Sequence, residues 1–198
     1  MSYLYNMKWI SERISVKKHS NFTTIVISPS KNFWTTILLG TWLSMWFTIG
    51  VLVISSFYMF DLKNQEKIIL WIFLSFWTFF FIRISKSFLW IHYGKELIKL
   101  GEFSFDYKRS IFNYGKAHVI FYENIKEITT HFPKENSLES VWESSPWISG
   151  GERIYLETKL KTYKIGRKLS TQESHSLVDT INNQIKKRKA FLQKIDSI

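Results

Sequence analysis

Histidines are the first residues to test for chemistry, because an imidazole can bind a metal or carry a proton near neutral pH. The five here are His19, His92, His118, His131 and His175, none four residues from another and none in an HExxH pattern. Their spacing predicts no metal site. The chain has no cysteine, which excludes a disulfide scaffold, thiol catalysis, iron–sulfur clusters and cysteine zinc sites. Gly150-Gly151 lies in a loop without the strand-to-helix setting that phosphate-binding glycines need, and no nucleophile elbow or dinucleotide fingerprint is present. With no catalytic set, no metal ligands and no cofactor motif, the expectation is a protein that is not an enzyme.

What remains is positive charge and aromatic surface. The 198 residues carry 27 Lys and Arg against 16 Asp and Glu, a net charge of +11, with 17 Phe, nine Trp and nine Tyr. One basic group, Lys17, Lys18, Lys31, Arg83, Lys86 and Lys95, flanks the apolar runs described below. Near an anionic leaflet each such residue gains about 1 kcal/mol, so the group either recognises lipid headgroups or only sets topology. A second group, Lys159, Lys161, Lys164, Arg167 and Lys168, is either the charged mouth of a binding domain, gripping a phosphorylated headgroup or an acidic partner, or a solvated strand-and-turn face. The basic residues are spread over several segments without a base-stacking motif, which argues against nucleic acid as the partner.

The elements that must position these residues begin with two apolar runs. Phe33 to Phe60 contains no charged residue, and roughly 20 helical residues suffice to cross a hydrocarbon core. Ile68 to Ile82 is shorter, about 22 Å of helix, and spans only if it continues past Arg83 and Lys86, whose aliphatic stems can carry their charges to the headgroups. Trp90, His92 and Tyr93 then fall in the interfacial aromatic belt. We therefore expect spans over 33–60 and 68–93, joined by an extracytoplasmic turn over 61–67. The flanks carry net charges of +4 and +7 around a neutral turn, which places both termini in the cytoplasm. The first run starts after about 30 mostly polar residues, unlike a cleavable signal peptide. Within it Trp42 and Trp46 share a helix face, and Gly40 and Gly50 allow a second helix to approach. Trp71 and Trp77, six apart, do not stack in the same way.

The polar parts read as β-structure. Residues 1–32 predict a cytoplasmic hairpin with strands around Ile10 to Val16 and Phe22 to Ser28, needing further strands to pair with. After the second run, strands are expected over Glu96 to Leu100, Glu102 to Tyr107, Ser110 to Tyr114, Ala117 to Tyr122 and Ile125 to Thr130, with a turn at Lys108-Arg109. Pro133 to Gly151 reads as a long loop, and a hairpin follows around Lys159 to Lys161. A terminal helix over 169–190 opens with Ser170 and Glu173 at capping-box spacing and carries Leu177, Val178, Ile181 and Ile185 on one side.

Many short antiparallel strands closed by one amphipathic helix is the element order of a pleckstrin-homology-like (PH-like) domain, here 94–198. More specifically, the chain resembles uncharacterised small bacterial membrane proteins with two spans and a PH-like domain. The resemblance rests on Gly40-Thr41-Trp42-Leu43-Ser44-Met45-Trp46, on Leu89-Trp90-Ile91-His92-Tyr93-Gly94-Lys95-Glu96, and on Thr162-Tyr163-Lys164-Ile165-Gly166 leading to Leu169 and Glu173. Met45 departs from the small residue usual at its place, and the loop over 133–151 has no counterpart. The resemblance implies architecture, not mechanism. The fold class expected is an α+β membrane protein, a two-helix hairpin plus a cytoplasmic PH-like β-domain at the bacterial inner membrane. Its expected role is a lipid-binding or scaffold protein on the anionic inner leaflet. The alternative is an accessory subunit of a larger membrane protein complex, docking through its aromatic-rich spans. The partners expected are anionic inner-leaflet lipid and either a membrane protein or further copies of the chain as a homo-oligomer.

Overall fold

The computed structural model describes residues 7–134, 137–144 and 150–196. Two compact units are present: a helical one over residues 31–92, and a β-rich one built from the segments on either side of it.

In the helical unit, α1 (Phe33–Met59) and α2 (Asn64–Tyr93) are each long and apolar enough to cross a membrane. The Asn32 side chain caps α1 by accepting from the Trp34 N–H. Most large side chains of these helices are exposed, including Phe47, Leu52, Ile69, Trp71 and Phe76, the reverse of what a helix in a soluble core shows. The helices are held together at Trp46 and Trp77. The Trp46 indole N–H donates to the Trp77 carbonyl at 3.3 Å, and the Trp77 indole N–H donates to the Trp46 carbonyl at 2.9 Å. A helical carbonyl keeps a second lone pair for such a bond, so both indoles are satisfied in apolar surroundings. Trp42 stacks on Trp46, and Phe81 stacks on Trp77. Gly50 makes room: a Cβ there would stand 2.7 Å from the Trp77 Cη2 and nearer still to the adjoining ring carbons. Gly40 is in ordinary contact, with Phe88 3.5 Å from where its Cβ would lie.

The β-rich unit has two antiparallel sheets. One runs in chain order through β1 (Met7–Ser11), β2 (Ile14–Lys18), β3 (Thr23–Ile27), β4 (Gly94–Leu100), β5 (Ser104–Ile111) and β6 (Ala117–Phe121). The other contains β7 (Ile125–Thr130), β8 (Glu152–Thr158) and β9 (Thr162–Arg167). Strands β3 and β4, separated in sequence by both long helices, pair from Thr23 opposite Leu100 to Ile27 opposite Glu96. Alternate residues of both sheets face one core, with Ile14, Ile25, Ile98, Phe105, Ile154, Leu156 and Ile165 fully buried. Helix α4 (Thr171–Asp196) closes it with Leu177, Val178, Ile181 and Ile185. Tyr122, in the short 3₁₀ turn between the sheets, is also buried, and burial pushes its hydroxyl pKa up to about 12.

Several expectations need correction. The N-terminal segment forms three strands, because Glu12-Arg13 turns the chain and Arg13 is fixed there by the Ser28 carbonyl at 3.1 Å and the Lys168 carbonyl at 2.7 Å. Residues 1–6 of that segment lie outside the described residues. Lys108-Arg109 is not a turn but the middle of β5, paired with Leu97 and Glu96. The chain reverses instead at Phe112 and Asn113, both at positive φ as a tight hairpin requires, with the Phe112 ring stacked 4.1 Å from Tyr93. The expected loop over 133–151 contains α3 (Leu138–Ser144), started by the Ser137 hydroxyl accepting from the Ser140 N–H and anchored by a Glu143–Arg153 ion pair. Positions 135, 136 and 145–149 of that loop lie outside the described residues.

The capping box of α4 is present. The Glu173 N–H donates to the Ser170 hydroxyl at 3.2 Å, and the Ser170 N–H donates to the Glu173 carboxylate at 2.9 Å. Burial alone would raise the Glu173 pKa. The hydrogen bonds from Ser170 and from the Ser11 hydroxyl, with the charge of Arg13 3.6 Å away, outweigh it and bring the carboxyl below its ordinary 4.5. A carboxylate with a depressed folded pKa stabilises the fold above its unfolded value and loses that contribution as pH falls through the folded one. Thermal unfolding of the full chain is therefore expected to show stability falling as pH drops below about 4.5, with a shallower fall in Glu173→Gln. An unchanged slope would contradict this assignment.

Candidate functional site

The chemistry gathers where the end of β5 meets β9. Inward positions of β4 alternate along the strand, and the series Gly94, Glu96, Ile98, Leu100 puts a carboxylate in an otherwise apolar row. The Glu96 side chain is 1% exposed. Such a group is tolerated only when its lone pairs are used, and here they are. One oxygen accepts from the Gly166 N–H at 2.8 Å and the Tyr107 hydroxyl at 3.1 Å; the other accepts from the Arg167 N–H at 3.1 Å. Gly166 has φ +75°, and a Cβ would meet the Leu169 side chain at 2.6 Å, so its amide reaches Glu96 only because the residue is glycine.

Arg109, on β5, sits beside this carboxylate. Its Nη2 is 3.7 Å from Glu96, 3.0 Å from Glu152 on β8 and 3.4 Å from the Lys164 carbonyl, while its Nε donates to the Tyr107 hydroxyl at 3.2 Å. Burial lowers the Arg109 pKa, but Tyr107, Glu96 and Glu152 outweigh it and the net shift is upward. Burial likewise drives the Tyr107 hydroxyl well above its ordinary value. Both groups hold their protons throughout the physiological range.

In front of Arg109 is an open cleft of about 350 Å³. Lys116, just before β6, and His118, on β6, line it from one side; Lys161, Thr162, Tyr163 and Lys164 line it from β9 and the turn before it. The Lys161 ammonium lies over the Tyr163 ring at 4.4 Å, His118 packs against the same ring, and the Lys164 ammonium lies over Tyr155 at 4.9 Å.

Of the basic group singled out from the sequence, Lys161 and Lys164 reach the cleft. Lys159 is exposed in the β8–β9 turn, its N–H donating to the Asn124 carbonyl. Arg167 and Lys168 are half-buried, and burial lowers the pKa of both. Their carbonyls accept from Arg13, and the Arg167 side chain donates to the Gly150 carbonyl at 3.3 Å. They belong to the frame behind the cleft. In the other basic group, Lys17 and Lys18 lie on β2 and Lys95 on the outer face of β4, while Lys31, Arg83 and Lys86 are exposed in the helical unit. Sequence reading missed Glu96, Tyr107, Arg109, Lys116, His118, Glu152 and Tyr163 as members of one site. A charged residue at an inward strand position was the available signal, and it pointed only to Glu96.

Among the described residues no three His, Asp or Glu side chains gather as a metal site. The chain matches no protein-family model, no curated protein and no solved structure.

Glu96→Gln keeps the shape but turns an amide N–H₂ toward a backbone donor. It is expected to cost about 2 kcal/mol, the typical loss on removing hydrogen bonds to a buried charge. Chemical denaturation of the full chain in detergent would read this; a loss below a few tenths of a kcal/mol would contradict the role given to Glu96.

Proposed function

We propose that the protein is a membrane-anchored, non-enzymatic binding or scaffold protein, in which a transmembrane hairpin of α1 and α2 holds a PH-like domain at the inner face of a bacterial inner membrane. The observation that carries this reading is the β3–β4 ladder. It joins the strand before α1 to the strand after α2, so if both helices span, both flanks lie on one side. The positive charge of those flanks supports the cytoplasm as that side. The lipid-like exposure of the helices supports spanning, and a strand-built core closed by a terminal helix supports the PH-like reading.

A second reading, an accessory subunit docking through its spans, is favoured by a groove of about 350 Å³ on the hairpin, lined by Leu43, Ser44, Phe47, Thr48 and Phe81. Its hydroxyls and aromatic rings suit the packing of another apolar helix. Native co-purification in mild detergent decides it: a stoichiometric membrane partner supports it, and a partner-free chain removes it.

The absence of cysteine makes topology directly measurable. With a membrane-impermeant maleimide on intact spheroplasts, Lys63→Cys is expected to label from outside, and Lys18→Cys and Lys126→Cys only after permeabilisation. Labelling of either flank from outside, or a chain that is soluble without detergent, would overturn the anchored reading.

A further inference from the structure

The cleft between β6 and β9 has an imbalance that the fold does not use. Arg109 is committed to Glu152 and faces Glu96, and the Tyr107 hydroxyl is spent between Glu96 and Arg109. Among the described residues no carboxylate lies within ion-pair distance of Lys116, Lys161 or Lys164. Lys116, Lys161, the His118 ring and Thr162 border a space far larger than one water, while the Lys164 ammonium lies over Tyr155, on the other face of β9 from Tyr163. The single carboxylate lining it, Glu152, is already paired. The chemistry offered to a ligand is therefore hydrogen-bond donation and positive charge, with an aromatic wall at Tyr163.

We propose that this cleft binds a phosphorylated ligand, a phosphate monoester or diphosphate, with the phosphoryl oxygens between Lys116 and Lys161 and the remainder of the molecule against Tyr163. A phosphoryl group brings nearly two negative charges and three acceptor oxygens in one compact unit, which answers two lysines without carboxylate partners and the donors beside them better than a single carboxylate does. A lipid phosphomonoester and a soluble phosphate ester offer the same group. The inference deepens the binding role proposed above by assigning it a site and a ligand class, but its test does not depend on which way the helices cross a membrane.

The test is calorimetric titration of the full chain in detergent micelles with inorganic pyrophosphate. Saturable binding is expected, weakened about tenfold or more in Lys116→Ala/Lys161→Ala, since each contact to the anion is charge-assisted. Both side chains are exposed, so the fold should survive their loss, and circular dichroism checks this. Lys126→Ala/Lys186→Ala removes the same charge away from the cleft and is expected to bind as the parent does. Competition then separates the sources: displacement by glycerol 1-phosphate indicates a soluble ester, and displacement by phosphatidate but not phosphatidylcholine nanodiscs indicates a headgroup. Equal weakening in both double variants, no saturable binding by the parent, or binding of citrate or oligoglutamate as tight as that of pyrophosphate would overturn the proposal.

Discussion

One buried carboxylate governs the geometry of the β-rich unit. Glu96 enters the core on β4 and takes backbone N–H groups from Gly166 and Arg167 at the end of β9, so a single side chain ties the six-stranded sheet to the three-stranded one. Apolar packing alone would let two sheets slide over each other; directional bonds to a charged acceptor do not. The same carboxylate orients Tyr107 and faces Arg109, which places a fixed positive group at the base of the cleft. Fold and site thus share one origin.

Arg13 performs the matching task on the opposite partner set. Its guanidinium gathers the carbonyls of Ser28, Arg167 and Lys168 and lies beside Glu173, joining the β1–β2 turn, the end of β3, the end of β9 and the start of α4. Read as a sequence, Arg13 is one more positive charge ahead of an apolar helix. Folded, it is half-withdrawn from solvent, and burial lowers its pKa. Net charge therefore overstates the number of cations available to a membrane or ligand. The lysines left without carboxylate partners in the cleft matter more than the total.

The helical unit follows a simpler rule. In an antiparallel pair, residues equally far from the turn meet at the same level, and Trp46 and Trp77, 31 residues apart, straddle the turn near Leu62. Each indole would carry an unsatisfied N–H in an apolar medium, and each finds its acceptor on the other helix. Gly50 supplies the close approach. Trp46 and Gly50 were marked for packing on α1 by their spacing alone, whereas Trp77 was noted without a packing role, because its partner lies across the turn and not along its own helix.

Hydrophobic run length, alternation and caps are local properties, and what they govern was legible in the residue order. The two long apolar helices, the antiparallel strands between turn residues and the Ser170–Glu173 cap are all of this kind. Local pattern misled where a longer-range contact outweighed it: Arg109 stays in a strand because it reaches Glu152 across the sheets, and Phe112 accepts a positive φ while stacked on Tyr93. The candidate site was legible only in fragments. Lys161 and Lys164 stood out as basic residues, but nothing along the chain joins them to Lys116, His118 or Arg109, whose proximity depends on sheet register. Residue order by itself determined the two long apolar helices, the capped terminal helix, the β character of the polar segments and which flanks carry charge, since those follow from spacing and side-chain type. Only the tertiary structure decided that β3 pairs with β4 and that Glu96 meets Gly166, 70 residues away, because such contacts are selected by the packing of the whole core.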